Sequence, residues 1–284
     1  MRFTKMQALG NDYAYIDAVH QKITHLPELA RFISDRHFAV GSDGIVLICP
    51  SEKADFRMRM FNPDGTEGQM CGNALRSVGK YVYEHQMTDR TELTIETMAG
   101  IRKLNLYVSG GIVNNIRADI GEPELVASKV PVKSVQQYFI GQYVPVLGKS
   151  FLMTAVSWGN PHVVVFVDDV MDFEVEKYGK EIENMTSLFP QKTNVTFAQI
   201  ENGAAISIRE WERGTGETLS CGTGCCSAVV AGVLKGCCLR EAAVKQTGGV
   251  MYVAWDETTN HVFLTGQSKT VFEADIDVSD IMEG

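Results

Sequence analysis

The spacing of apolar and polar residues along the first 120 positions predicts short strands mixed with two helices. Strands are expected where apolar residues alternate or run together. They cover residues 6–17 (two strands around a Gly10-Asn11-Asp12 turn), 44–49 and 56–61. Helices are expected where apolar residues recur every three or four positions. They cover residues 29–35 and a stretch from Cys71 to about Glu84.

The second half of the chain repeats this order of predicted elements. It offers a Gly159-Asn160 turn with a strand in 156–167, a helix at 173–184, strands at 195–200 and 205–211, and a helix from Cys221 to about Leu234. The body of the last helix is almost entirely apolar, which indicates burial at the middle of a domain. We expect a final strand near residues 270–276 to return to the sheet of the first domain.

A short motif containing a cysteine occurs in both halves. Residues 61–74 read FNPDGTEGQMCGNA and residues 211–224 read WERGTGETLSCGTG, so adding 150 takes Arg59 to Arg209, Glu67 to Glu217 and Cys71 to Cys221. This duplication predicts two domains of similar design, related by a pseudo-twofold axis that would make the two cysteines face each other. We place the domains at residues 1–119 with 268–284, and at residues 120–267.

Net charge, apolar runs and cysteine pattern limit the partners that this protein can bind and the cellular compartment in which it is expected. The 284 residues carry a net charge of −9, which argues against nucleic acid or an anionic membrane surface as a partner. No signal-peptide core follows the amino terminus, and no apolar run approaches the ~20 residues of a membrane-spanning helix. The seven cysteines include two adjacent pairs and no recurring Cys-x2-Cys, which favours free thiols in a reducing compartment over disulfides or a zinc site. We therefore expect a cytoplasmic protein without a metal.

The repeated Cys-Gly stands where a turn becomes a helix. The first N–H groups of a helix have no internal partner and attract anions, so two such helix starts could hold one carboxylate. The same field is expected to stabilise a thiolate, because the pKa of a cysteine, ~8.5 when free, falls to roughly 3.5–7.5 in such settings. Two opposed thiols suit a reaction in which a proton leaves one face of a carbon and returns on the other. The remaining five cysteines are interpreted as packing residues, and His162 as a structural histidine.

At these residues the chain resembles the diaminopimelate epimerase family, the cofactor-independent enzymes of bacterial and plant lysine synthesis. The matching stretches run in the family's order from residue 5 to residue 224, and cover Lys5-Met6, Leu9–Asp12, Gly41–Gly44, Phe61–Gly65, Met70–Arg76, Gly159–His162, Thr193–Val195, Glu212–Thr218 and Ser220–Gly224. The resemblance implies an α/β (α+β) fold of two pseudo-symmetric domains, each a β-barrel-like sheet around a central helix, with the active site in the cleft between them.

The resemblance also implies residue roles. Cys71 and Cys221 take the catalytic positions, and the backbone N–H groups of Gly72, Asn73, Gly222 and Thr223 bind the carboxylate of the reacting centre. The distal, non-reacting end of the substrate would contact Asn11, Asn62, Asn160, Asn194, Glu212 and Arg213. No cofactor and no metal is implied, the substrate is a small amino acid, and the protein is expected to be a homodimer. Where some members of the family carry glutamine, this chain has Gly44, which removes one polar contact.

Two other functions stay open on the sequence. A racemase of another amino acid, such as histidine or lysine, would use the same cysteines but would leave Arg213 without a carboxylate partner. A thiol redox protein could use Cys71 and Cys221 as an exchangeable disulfide, although the sequence offers no Cys-x-x-Cys beside a βαβ pattern to support it.

Overall fold

A computed structural model describes residues 1–282 and has the mixed α and β composition that the sequence predicts. The first half holds the strands β1 (Arg2–Ala8), β2 (Asn11–Asp17), β3 (Ile45–Cys49), β4 (Phe56–Phe61), β5 (Glu67–Gly68), β6 (Glu92–Thr97), β7 (Gly100–Ser109) and β8 (Ile112–Gly121), with the helices α1 (Leu26–Ser34) and α2 (Gly72–Glu84).

The second half holds the strands β9 (Gln142–Val146), β10 (Lys149–Ser157), β11 (Pro161–Phe166), β12 (Asn194–Asn202), β13 (Ala205–Glu212), β14 (Gly216–Thr218), β15 (Glu241–Gln246), β16 (Gly249–Trp255) and β17 (Val262–Gly266), with the helices α3 (Val175–Glu183) and α4 (Gly222–Leu234). The chain then continues into β18 (Lys269–Asp275) and a short helix, α5 (Ser279–Met282).

The chain divides into two compact units, each described here by itself. The first consists of Met1–Ala118 together with the stretch from Gly266 onward, and the second consists of Asp119–Thr265. In the first unit β1 and β2 are antiparallel, β3 is parallel to β2 after α1, β4 is antiparallel to β3, and β6 is parallel to β4 after α2. The antiparallel strands β7 and β8 follow.

The second unit has the same topology. Strands β10 to β13 repeat the pairing of β1 to β4, β15 is parallel to β13 after α4, and the antiparallel strands β16 and β17 follow. Helix α4 begins and ends 150 residues after α2. The prediction of two units of similar design is confirmed at the level of topology. The expected return of the last strand is confirmed as well, since β18 pairs antiparallel with β1, as β9 does with β10.

A helix lies against the inner face of the curved sheet in each unit. Helix α4 contacts β10, β11, β12, β13, β15 and β16, and its residues from Gly224 to Gly232 are buried, as its apolar sequence predicts. Helix α2 contacts β1, β2 and β7, but it buries charged groups. The Arg76 guanidinium donates to Asn73 Oδ1 at 2.7 Å, and Lys80 Nζ donates to Glu84 Oε1 at 2.6 Å. These partners offset the cost of removing the charges from water.

The shorter helices cover the other face of each sheet. Helix α1 packs Leu29 and Ile33 on β3 and β4, and α3 packs Tyr178 and Ile182 on β12 and β13. At Gly179 an added Cβ would lie 2.6 Å from Trp211 Cγ, so only glycine allows α3 to approach β13 this closely. Within residues 1–282, no helix has the length and apolar character needed to cross a membrane.

We predict that Leu75→Ala, in the buried part of α2, lowers the free energy of unfolding by about 2–5 kcal/mol, because the removed side chain leaves a cavity. Leu75 is fully buried, whereas Leu239 is 61% exposed and provides the matched control. Leu239→Ala should change stability by about 0.5 kcal/mol or less. Urea unfolding followed by circular dichroism measures both, and equal losses would contradict the central position of α2.

Candidate active site

The two repeated cysteines occupy the same backbone position in their units. Cys71 precedes α2 with φ −131° and ψ 123°, and Cys221 precedes α4 with φ −132° and ψ 114°. Each is the N-cap of a helix that begins at the following glycine, as the sequence predicts. The first turn contributes the N–H groups of Gly72 and Asn73 in one unit and of Gly222 and Thr223 in the other, and the first turn of a helix can bind an anion.

A bidentate ion pair holds the hairpin that leads to each cysteine. In the first unit Arg59 Nε and Nη2 donate to the two Glu67 carboxylate oxygens at 2.7 and 2.9 Å. In the second, Arg209 donates to Glu217 through the same atoms at 2.7 and 3.0 Å. Two parallel N–H···O bonds fix orientation as well as distance. The arginine and glutamate that recur after 150 residues therefore have a structural role, because each ion pair fixes its hairpin, β4–β5 or β13–β14.

Cys71 lies in a chain of side-chain hydrogen bonds within the first unit. Its thiol donates to Asn11 Oδ1 at 3.3 Å, and Asn11 Nδ2 donates to Asp43 Oδ2 at 2.8 Å. Arg36 Nη2 donates to Asp43 Oδ1 at 2.9 Å and to Asp12 Oδ1 at 3.0 Å. Asn11 was predicted for the site from its motif, whereas Arg36 was missed; its only signal in the sequence is its place shortly before the Gly41–Gly44 motif. The Asp43 carboxylate thus orients the Asn11 amide so that its oxygen accepts from the Cys71 thiol.

The other predicted residues of the first unit lie around this helix start. Asn62 follows β4 and donates from Nδ2 to Thr66 Oγ1 at 3.0 Å within the predicted turn. Asn73 is buried, and its side chain accepts from Arg76. A Cβ added at Gly72 would contact nothing within 4 Å, so the space beside this N–H group is open.

Gly44 has a local structural cause. Its φ is +141°, and an added Cβ would lie 2.1 Å from the Phe61 carbonyl oxygen. Any side chain at this position therefore requires the backbone of β4 to move. The missing polar contact is a consequence of how closely β3 and β4 approach at this point.

Cys221 is more deeply enclosed than Cys71. It is 7% exposed, its Sγ accepts from the Gly224 N–H at 3.4 Å, and it lies 3.5 Å from Thr223 Oγ1. Its own N–H donates to Gln246 Oε1 at 2.8 Å. These contacts fix the sulfur at the first turn of α4.

His162 and Glu210 lie behind Cys221 and are both fully buried, at 0% and 1% exposure. His162 Nε2 lies 2.9 Å from Thr223 Oγ1 and 3.2 Å from Asn160 Nδ2, and its Nδ1 lies 3.3 Å from Glu210 Oε1. The interpretation of His162 as a structural histidine agrees with its burial. It did not foresee that only the Thr223 side chain separates His162 from Cys221. Glu210 was missed altogether, although its spacing from Ile206 and Ile208 places it on the buried face of β13.

The remaining predicted residues of the second unit form a connected group. Asn194 is buried, donates from Nδ2 to the Pro161 carbonyl at 2.9 Å, and accepts the Arg213 backbone N–H at 2.8 Å. Thr218 Oγ1 donates to Glu212 Oε1 at 2.6 Å. The Arg213 guanidinium is exposed and donates to the Gln191 carbonyl at 2.8 Å.

Electrostatics at Cys221 differ from the prediction made from the helix start. Burial raises the pKa of the Cys221 thiol well above its ordinary value, and the negative charges of Glu212 and Glu210 raise it further. The donors Thr223 and Gly224 oppose this rise without overcoming it. The expected stabilisation of a thiolate by the helix start is therefore wrong for free Cys221, which is held as a thiol. Burial also raises the pKa of Glu212 itself.

Cys221, His162 and Glu210 also form the group of metal-ligating side chains found within residues 1–282. Each offers one ligand atom, and these atoms lie within 4.8 Å of one another. Zinc binds nitrogen and sulfur at about 2.0–2.3 Å, which places tetrahedral ligands roughly 3.5 Å apart. The expectation of a protein without a metal stays a prediction.

Comparison with known proteins agrees with the resemblance seen in the sequence. The family model described as diaminopimelate epimerase matches residues 3–126 and 154–271. The chain is 49% identical to the diaminopimelate epimerase of Methanococcus maripaludis strain C6, over 98% of this chain and 100% of the relative. It is 47% identical to that of Acetivibrio thermocellus, over 99% of this chain and 100% of the relative.

Solved structures support the fold alone. A PhzF-family phenazine biosynthesis protein from Bacillus anthracis matches with a TM-score of 0.70 at 21% identity, over 98% of this chain and 99% of that one. A probable proline racemase from Agrobacterium radiobacter K84 matches with a TM-score of 0.70 at 14% identity, over 98% and 93%. The predicted fold class is confirmed by these likenesses.

We predict that Glu212→Gln lowers the pKa of Cys221, because it removes the carboxylate that raises this pKa more than Glu210 does. At pH 8 the larger thiolate fraction should speed alkylation of Cys221 by iodoacetamide, by about tenfold for each unit that the pKa falls. Peptide mass spectrometry resolves the rate at each cysteine. Glu201→Gln, which changes a charge paired with Lys245 in the same unit, is the control and should leave the rate unchanged.

Proposed function

Because the chain belongs to the diaminopimelate epimerase family, we propose that it interconverts LL-2,6-diaminopimelate and meso-diaminopimelate in lysine synthesis. The observation that carries this proposal is the pair of cysteine N-caps, which have nearly the same backbone angles in two units of the same topology. A reaction that inverts one carbon needs two such groups, one for each face.

We propose that Cys71 and Cys221 are the two catalytic groups and act without pyridoxal phosphate. One thiolate removes the proton from the α-carbon, and the thiol of the other cysteine delivers a proton to the opposite face, so the configuration inverts. Afterwards the two sulfurs have exchanged protonation states, and the reverse reaction starts from that state. A single base would have to cross the plane of the carbanion. The raised pKa of Cys221 supports its role as the proton donor in the resting enzyme.

The helix starts are proposed to hold the carboxylate of the reacting centre. Removing an α-proton places negative charge on that carboxylate, and preorganised N–H donors stabilise this charge as it develops. The donors are the first-turn N–H groups of Gly72, Asn73, Gly222 and Thr223.

The distal amino acid end is proposed to contact the asparagines and the two charged residues. Asn11, Asn62, Asn160 and Asn194 supply amide donors and acceptors, Glu212 can meet the ammonium, and Arg213 can meet the carboxylate bidentately. Arg213 makes one side-chain hydrogen bond within residues 1–282, which leaves most of its five N–H donors for a ligand. A histidine or lysine racemase would leave this guanidinium without a carboxylate, which favours diaminopimelate.

The family resemblance further leads us to propose a homodimer in the cytoplasm, with domains at residues 1–119 plus 268–284 and at residues 120–267. A thiol redox function has no support beyond the two cysteines, and the seven cysteines are free thiols in the structure.

We predict that reduced protein, incubated with LL-diaminopimelate in heavy water without added cofactor, gives meso product carrying one deuterium at the inverted carbon. Chiral separation with mass analysis measures both events. Cys71→Ala and Cys221→Ala should each abolish turnover, whereas Cys237→Ala, which removes a half-buried thiol away from the helix starts, should retain it. A fully active Cys221→Ala protein would refute the two-base mechanism.

We predict that Arg213→Ala lowers kcat/KM for diaminopimelate by roughly 10- to 150-fold, the effect of losing a charged hydrogen-bond partner worth about 1.5–3 kcal/mol. Arg240→Ala is the matched control, because Arg240 lies over the Trp255 ring in the same unit and has no proposed contact with substrate. Histidine and lysine, assayed as substrates beside diaminopimelate, test the alternative. Preferential turnover of either one by the unmodified protein would establish a racemase of another amino acid.

A further inference from the structure

The second unit buries a carboxylate, that of Glu210, against the imidazole of His162. Glu210 and His162 are 1% and 0% exposed, and both Glu210 oxygens and His162 Nδ1 lack an aligned hydrogen bond within residues 1–282. Nδ1 and Glu210 Oε1 nevertheless lie 3.3 Å apart. A buried carboxylate without a donor is costly, so this contact must carry a proton.

This pair has no counterpart in the first unit. Glu210 corresponds to Met60, because each lies in the strand before its hairpin and pairs with the equivalent residue there, Thr218 or Gly68. His162 corresponds to Tyr13, because they pair with the equivalent residues Val156 and Met6. The equivalent strand positions thus hold Glu210 and His162 in the second unit, but Met60 and Tyr13 in the first.

The helix beside Glu210 is matched to it. Position 224 is glycine, where the first unit has Ala74, and a Cβ added at Gly224 would lie 2.5 Å from Glu210 Oε2 and 2.8 Å from its Cδ. Gly224 has no positive φ that would require glycine for its conformation. The absent methyl group is therefore explained by the space that the carboxylate occupies.

We propose that Glu210 is a positioning residue, which keeps His162 protonated on both ring nitrogens and so directs the hydroxyl proton of Thr223 toward Cys221. Nδ1–H is donated to Glu210, and Nε2–H is donated to Thr223 Oγ1 at 2.9 Å. With its oxygen accepting from the ring, Thr223 donates its own proton to Cys221 Sγ, 3.5 Å away. This assignment requires the Asn160 amide, whose Nδ2 is placed 3.2 Å from Nε2, to turn over so that its oxygen faces the imidazolium.

The consequence for the reaction rests on the proposed function. Cys221 must become a thiolate in each turnover, and a hydroxyl donor stabilises that form. The titratable groups that face it are Glu210 and Glu212 from β13 and His162 from β11. Without Glu210, a buried imidazole loses its second proton, and its Nε2 becomes an acceptor that takes the Thr223 proton away from the sulfur.

The proposal and a purely electrostatic effect of Glu210 predict changes of opposite sign in the pKa of Cys221 when Glu210 is replaced. If Glu210 acted on Cys221 only as a negative charge, Glu210→Gln would lower the pKa of the thiol and speed its alkylation. If Glu210 acts through His162, the same substitution removes the donor to the sulfur and slows alkylation. A residue that only fills space would give no change at either cysteine once the fold is intact.

The first experiment observes the imidazole directly. The full chain, labelled with ¹⁵N-histidine, is compared with Glu210→Gln by NMR between pH 6 and 9. We expect both nitrogens of His162 to have the chemical shifts of protonated nitrogens in the unmodified protein, and one to have that of an unprotonated nitrogen in the variant. A neutral His162 in the unmodified protein, with the proton on Glu210, would overturn the proposal.

The second experiment measures alkylation of Cys221 by iodoacetamide at pH 8, with Cys71 in the same sample as the internal control. Glu210→Gln should slow Cys221 about three- to tenfold, which corresponds to a rise of half to one unit in its pKa, and leave Cys71 unchanged. In a Thr223→Val background the substitution should have no such effect, because the hydroxyl is gone. Faster or unchanged alkylation of Cys221 in the Glu210→Gln protein would overturn the proposal.

Gly224→Ala provides a variant that keeps Glu210. Its methyl group displaces the carboxylate from His162, so it should reproduce both results if Glu210→Gln does not fold. A normal imidazolium signal and normal alkylation in a folded Gly224→Ala protein would count against the proposal. Neither measurement needs a substrate, so a failure of the proposed epimerase function would leave these outcomes unaffected.

Discussion

The position of each sulfur depends on one constraint, the start of a helix enclosed by a curved sheet. Because α2 and α4 are held by the strands around them, the first turn of each helix is fixed in place together with its N–H groups. The cysteine is the residue before that turn, in extended backbone, and the following glycine leaves one N–H group open at Gly72. The arginine–glutamate pairs at the hairpins fix the chain on its way into this point.

The same frame carries different electrostatics in the two units. Cys71 donates to an asparagine that is oriented by Asp43 and Arg36, whereas Cys221 lies among two carboxylates and a buried histidine. A duplicated backbone preserves where the sulfur lies, but the side chains around it set its protonation. Inversion by two groups requires them to begin in opposite protonation states, so the divergence of the surroundings is what the proposed chemistry needs.

The sequence predicted the parts of the fold that depend on local pattern. The starts of α2 and α4 were predicted within one residue, because a turn, a cysteine and a glycine precede an unbroken helical pattern. Strands β6 to β8 and β15 to β17 were missed. In β16, exposed Val250 and Tyr252 alternate with buried Met251 and Val253. Because all four residues are apolar, the sequence lacks the apolar–polar alternation that marks a strand. Only the pairing with neighbouring strands shows which face is covered.

The site was predicted where a residue belongs to a motif and missed where it depends on tertiary contact. Asn11 was predicted for the distal end of the substrate from its motif, and the structure places its side chain against Cys71. Glu210 and His162 stand 48 positions apart and meet only through the pairing of β11, β12 and β13. The pKa of Cys221 was expected to fall because the helix start attracts negative charge. Burial of the thiol and the negative charges of the two carboxylates outweigh that field.

The residues predicted to contact the distal end of the substrate differ in how many of their hydrogen-bonding groups already have partners within the protein. Asn194 uses its amide nitrogen on Pro161 and its oxygen on the Arg213 backbone, so its main effect is to fix the position of Arg213. The exposed guanidinium of Arg213 and the half-buried carboxylate of Glu212 retain capacity for a ligand. They are adjacent in sequence and opposite in charge, which matches the ammonium and carboxylate of an amino acid end. Under the proposed function, selectivity would follow from this charged pair, and a substrate with a second zwitterionic end is the class that would use both charges.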